Sequence, residues 1–170
     1  MLENGDLIFV KDSSEIGQAI QISTGKYSHV AIFLDGLIYH ASAEAGVTCQ
    51  NPADFFKANY LYDVYVCPAM DTQSVKEKAI KHLGKPYNNS FYPDSEGFYC
   101  SQFIAEILPI FETIPMKFSD GDQEISSFWQ IYYEKLELSV PNNIPGTNPS
   151  YLATSPLLEC KERNLHDSDF

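Results

Sequence analysis

The spacing of hydrophobic and polar positions changes several times along the chain, and each change marks an element. Leu7, Ile8, Phe9 and Val10 form an unbroken apolar run after the turn pair Asn4-Gly5, which predicts a short buried strand over 6–10. Over 13–23, Ile16, Ala19, Ile20 and Ile22 recur close to helical spacing. This predicts a helix with Ser14 as N-cap and Thr24-Gly25 as its stop. Apolar runs over 29–34 and 37–41 flank Asp35-Gly36, a strong two-residue hairpin signal. A short helix over 54–58 and a third strand over 62–67 follow. A helix over 74–83, closed by Gly84, comes next. Phe103, Ile104, Ile107 and Leu108 lie on one face of a helix that opens at Cys100 and ends by Pro109. Beyond it, 128–133 reads as helical and 134–140 as a strand. The Pro-, Asn-, Ser- and Gly-rich stretch 141–156 opens an irregular C-terminal segment, 141–170, laid over the surface.

The order strand, helix, hairpin, strand, helix, helix indicates an α+β fold, a small antiparallel sheet packed against helices. At 170 residues the chain has room for one domain, 1–170, with a sizeable core. A net charge of −12 argues against a nucleic-acid partner, which would need clustered Lys and Arg. It equally disfavours adhesion to anionic membranes. No apolar run approaches the ~20 residues of a membrane span. The polar start Met1-Leu2-Glu3-Asn4-Gly5-Asp6 is unlike a signal peptide, so a cytoplasmic location is expected if Met1 is the native start.

Cys49, Cys67, Cys100 and Cys160 form no CxxC pair and no zinc-finger spacing, so they are expected as reduced thiols, with no metal and no cofactor. The acidic groups Asp120, Asp122, Glu124 and Asp167, Asp169 lack calcium-loop spacing and read as solvated. Cys100 is different, because its place in a first helical turn favours a thiolate through unpaired N–H groups and the helix dipole. The expectation is a thiol that reacts well below pH ~8.5. The plain alternative is a small buried hydrophobe.

The hairpin supplies an imidazole pair. A two-residue turn pairs Leu34 with Leu37, which sets Ala31 opposite His40 and His29 opposite Ser42. His29 and His40 are then diagonal neighbours on one face. One can accept the Cys100 proton while the second orients the first. That mechanism requires the Cys100 helix to point its N-terminus at the histidine face, with sulfur and a His29 ring nitrogen within about 4 Å. His82 and His166 read as solvated. Metal binding by His29, His40 and Cys100 is a lesser alternative.

Gly5-Asp6-Leu7-Ile8-Phe9, Tyr27-Ser28-His29-Val30-Ala31-Ile32, Leu83-Gly84-Lys85-Pro86-Tyr87 and Tyr99-Cys100-Ser101-Gln102-Phe103 occur in this order. The set resembles the YiiX-like branch of the NlpC/P60 superfamily, the circularly permuted papain-like cysteine peptidases, to which lecithin retinol acyltransferase is related. It covers about residues 5–108, with Pro145-Gly146-Thr147-Asn148-Pro149 as an extension. The resemblance implies a permuted papain-like fold with Cys100 as nucleophile and His29 as general base. His40 stands where YiiX-like proteins often carry Glu, which is closer to the acyltransferase branch. Tyr27 and Tyr99 are candidate substrate contacts. The implied activity is hydrolysis of an amide, peptide or related acyl bond in a peptide, amide or lipid-derived small substrate, through a thioester. Acyl transfer at the same site, or a non-catalytic peptide- or lipid-binding module, are the alternatives.

Overall fold

A computed structural model describes residues 1–165; His166, Asp167 and Asp169 lie outside the described residues. In chain order the elements are β1 (Leu7–Val10), α1 (Glu15–Thr24), β2 (His29–Leu34), β3 (Leu37–Ser42), β4 (Gly46–Gln50), α2 (Pro52–Ala58) and β5 (Tyr62–Val66). There follow α3 (Thr72–His82), α4 (Cys100–Ile107), β6 (Ile114–Pro115), α5 (Ser127–Leu136), β7 (Pro145–Gly146), α6 (Pro149–Ala153) and β8 (Glu159–Arg163). Six strands form one sheet in the order β4-β3-β2-β1-β5-β8, every pair antiparallel, while β6 and β7 make a small ribbon apart from it.

Local chemistry explains the starts and turns. The Ser14 hydroxyl accepts from Gly17 N–H at 3.0 Å and caps α1. Asp35 and Gly36 both have positive φ, 47° and 88°, which matches the twist that a two-residue hairpin needs. The hairpin register is the one expected from the turn, with Leu34↔Leu37, Phe33↔Ile38 and Ile32↔Tyr39.

Strand alternation gives the sheet two dry faces. Val30, Ile32, Leu34, Tyr39 and Ala41 pack with Cys100, Phe103, Ile104 and Ile107 of α4 and with Val75 and Ala79 of α3. Ile8, Val10, Ala31 and Ile38 pack with Phe55 of α2 on the other face. Phe103, Ile104 and Ile107 are fully buried, each contributing about 1.5–3 kcal/mol, and together they fix α4 to the hairpin. A third cluster joins Ala19 of α1 to Met116, Phe118, Trp129 and Tyr133.

Three expectations change. Residues 134–136 continue α5, which ends at Glu137 in a left-handed conformation (φ 56°), and 137–140 form no strand. Strand β4 and the tail elements β7, α6 and β8 were not anticipated. All five residues of β8 are exposed, so this edge strand has no apolar face for a hydrophobic pattern to reveal. The segment 141–165 is therefore no loose strap. Lys161 of β8 donates to Glu3 at 2.6 Å and Asp6 at 2.7 Å, tying the tail to the lead-in of β1. His82, expected in solvent, is buried: its ring meets Phe98 edge-on and its Nε2 lies 3.6 Å from Glu106.

Candidate active site

Cys100 opens α4 and is 5 % exposed. Its approach is built by the Leu83-Gly84-Lys85-Pro86-Tyr87 motif. That motif lies between β4 and the residues before the helix: Val47 N–H donates to Lys85 O (2.9 Å) and Phe98 N–H to Pro86 O (3.0 Å). Gly97 is required there, because its φ is +83° and a Cβ would sit 1.9 Å from Pro86 O. Gln102 then reaches back to accept from Tyr99 N–H at 3.1 Å, closing the first turn.

The tail completes the mounting. Thr147 N–H donates to the Tyr99 hydroxyl (3.1 Å) and the Thr147 hydroxyl to Ser101 Oγ (2.9 Å), so both neighbours of Cys100 are held. Three residues on, Ser150 Oγ accepts from Tyr27 N–H (2.8 Å) and donates to Tyr27 O (3.3 Å). One short segment thereby links the start of α4 to the residues leading into His29. Gly146 permits this approach, since a Cβ would meet Met116 and the Tyr99 hydroxyl at 2.7 and 2.9 Å.

The imidazoles meet as the hairpin predicts. His29 Nε2 and His40 Nδ1 are 2.9 Å apart, and His40 Nε2 lies 3.0 Å from Gln50 Oε1 on β4. Both rings face Phe55 of α2, at 6.4 and 5.1 Å between centroids. Burial, and then the neighbouring His40, push His29 down to about 3; burial also lowers His40, with the Gln50 bond acting the other way. Both rings are thus neutral at pH 7.

The expected approach of the cysteine needs correction. Helix α4 packs against the face opposite to His29 and His40, because Val30, between two α2-facing positions, points to α4. The thiol donates to Ser28 O at 4.0 Å, rather than to an imidazole, and the Val30 N–H lies against the sulfur. Those two peptide groups flank His29 in the chain. The β2–β3 register runs from the turn to Ile32↔Tyr39, so the sulfur reaches β2 beyond that ladder, at the His29 backbone. The expected low thiol value is also corrected: burial pushes Cys100 up to about 12, outweighing the Val30, Ser101 and Cys100 N–H groups that favour a thiolate. Cys100 and His29 are both neutral at rest.

A cleft of about 510 Å³, measured to its open mouth, lies over Cys100. Its walls include Ile20, Phe91, Met116, Phe118 and Trp129, with Tyr87, Tyr99 and Ser28 beside the sulfur. Tyr99 lines this cleft, although its hydroxyl is occupied by Thr147. Tyr27 does not fit a substrate contact: it is 2 % exposed, packs on Phe9 and donates to Asp63 at 2.5 Å. Asp63, fully buried, also accepts from Asn164 and Leu165 N–H (2.8 and 3.0 Å) and anchors the end of β8. Gln50 was missed because its strand was missed. The alternation of Val47 and Cys49 with Thr48 and Gln50 was the available signal, and it placed Gln50 on the histidine face.

This sheet, with a cysteine-bearing helix on one face and its histidines earlier in the chain, defines a papain-like fold in permuted order. Residues 1–160 match the family of permuted papain-like amidase enzymes, YaeF/YiiX, peptidase family C92, and the chain belongs to that family. It is accordingly a cysteine peptidase or amidase. Among solved structures it is similar to yiiX from Escherichia coli O157:H7, described as a metalloprotein: TM-score 0.79, 21% identity, covering 95% of this chain and 97% of that one. No curated protein matches it in sequence.

Proposed function

We propose that this amidase works through Cys100, with His29 as general base and His40 orienting it, and that the acyl group passes through a thioester. The observation that carries this reading is the convergence at the start of β2. There the Cys100 sulfur lies against the peptide groups flanking His29, whose ring is held by His40. With both groups neutral, proton transfer accompanies attack instead of preceding it. His29 takes the thiol proton as sulfur bonds to the carbonyl carbon, and the N–H groups at the start of α4 are suited to the developing oxyanion. Collapse breaks the C–N bond, and the amine leaves with the His29 proton. Water, deprotonated by His29, then attacks the thioester, releasing the acid and returning the proton to sulfur. The aromatic and aliphatic walls of the cleft favour an apolar group next to the scissile amide.

The description of yiiX as a metalloprotein raises the question of an ion here. His29 and His40 spend ring nitrogens on each other and on Gln50. Among the described residues no group of three or more His, Cys, Asp or Glu could hold a metal. These residues do not fit an ion.

The test is intact-mass trapping of an acyl adduct during turnover of a panel of amides with apolar acyl groups. The adduct should map to Cys100, and Cys100→Ala and His29→Ala should both lose turnover. Undiminished hydrolysis by either variant would remove that residue from the mechanism.

A further inference from the structure

We infer that Gln50 is a positioning residue of the same site, fixing the tautomers of both imidazoles so that His29 presents a bare Nδ1 as the base. The inference rests on the catalytic reading of His29 and follows from donor and acceptor counting. An amide oxygen can only accept, so the 3.0 Å contact of Gln50 Oε1 with His40 Nε2 places the His40 proton on Nε2. A neutral imidazole carries one N–H, which leaves His40 Nδ1 as an acceptor. The 2.9 Å contact between His40 Nδ1 and His29 Nε2 then requires His29 to donate through Nε2. Its lone pair is left on Nδ1, the ring nitrogen bonded next to Cγ and so nearer the backbone. That backbone is where the sulfur lies, between Ser28 O and Val30 N–H.

The need for this fourth group comes from the third. A carboxylate at position 40 would accept from His29 in either ionisation-competent orientation and would need no tautomer set. An imidazole can donate or accept through Nδ1, and only the acceptor form leaves His29 with a free base nitrogen. The fold supplies rigid support for the choice. Gln50 pairs with Ile38 across β3–β4, and Asn51, its neighbour, caps α2 by accepting from Asp54 N–H at 2.9 Å. Phe55 of the same helix packs edge-on against His40. The groups facing the pair are Phe55 from α2, Val10 from β1, and Thr48 and Gln50 from β4, while Cys100 of α4 meets the backbone beside His29 from the other face. None of those four facing side chains ionises.

Two variants separate positioning from bulk stability. Gln50→Leu removes the acceptor, and Gln50→Glu keeps it while adding charge. Nitrogen-15 NMR of the histidine rings at pH 7 should show Nε2–H, Nδ1-bare tautomers at both His29 and His40 in the parent and in Gln50→Glu. Gln50→Leu should show mixed tautomers, with kcat lowered at least about tenfold and KM little changed, because the wrong tautomer removes the base. Gln50→Glu should keep most of kcat while its acid limb moves to higher pH, since a carboxylate favours imidazolium. A protonated His29 Nδ1 in the parent, or unmixed tautomers and undiminished kcat in a folded Gln50→Leu protein, would overturn the inference. The NMR result does not depend on turnover. A parent with the stated tautomers but no amide hydrolysis would therefore count against the catalytic reading and leave the Gln50 assignment standing.

Discussion

At the scale of single residues, the decisive contest is between burial and local dipoles. Cys100 has the helix-start N–H groups that usually lower a thiol, yet the dry surroundings win and raise it to about 12. Iodoacetamide at pH 7 should accordingly label the exposed Cys160 well before Cys100, with Cys100 labelling rising only as pH climbs. Peptide mapping of the alkylated sites checks the order, and preferential labelling of Cys100 at pH 7 would contradict it. His29 runs in the opposite direction. A base must be neutral to accept a proton, and His29 is held down to about 3. The acid limb of kcat/KM should therefore lie well below pH ~6.5, the ordinary imidazole value. An acid limb near 6.5 would show an ordinary, solvated imidazole instead.

At the scale of elements, the site depends on segments with little regular structure of their own. Gly97 sits where Pro86 O would overlap any Cβ, so Gly97→Ala should cost at least ~2 kcal/mol and move the lead-in to α4. Thermal unfolding measures the first effect and kcat the second. Thr147 joins the tail to Tyr99 and Ser101. Thr147→Val should lower kcat about tenfold through misplaced sulfur, with Thr147→Ser close to the parent. Equal activity of Val and Ser variants would show that this contact is dispensable. These dependences explain what the sequence could reveal. The hairpin was legible because Asp35-Gly36 can do little else between two apolar runs, and the meeting of His29 with His40 followed from that turn alone. The Cys100 helix was legible from its apolar face. The opposite-face packing of α4 was not, because periodicity says which side of a helix is apolar and nothing about which side of a sheet receives it. Thr147 and β8 escaped for a related reason: each works through polar bonds at long sequence separation, where no local pattern is imposed.

At the scale of the whole molecule, two neutral imidazoles inside the fold tie stability to pH. Both are lowered from the ordinary value, so the unfolded chain binds more protons than the folded one below about pH 6.5. The stability they confer is complete above that pH and is lost as pH falls towards 3. The cost should be about 3 kcal/mol at pH 4 from His29 alone. Urea unfolding at pH 7 and pH 4 should show a falling midpoint, and His29→Gln should fall less steeply. Identical slopes would mean that His29 is protonated without penalty in the folded state.

The tie between the two ends of the described chain has a consequence for design. Strands β1 and β8 both flank β5, and Lys161 reaches Glu3 and Asp6 at 2.6 and 2.7 Å. A short linker could join these ends into a ring, which could then be opened at the exposed Pro68-Ala69 turn between β5 and α3. The reopened chain would read Cys100 before His29 and His40, with the sheet and its helices otherwise as in the folded protein. The order of cysteine and histidine pair would then be a property of where the backbone is cut, and the same three-dimensional arrangement would serve either reading direction.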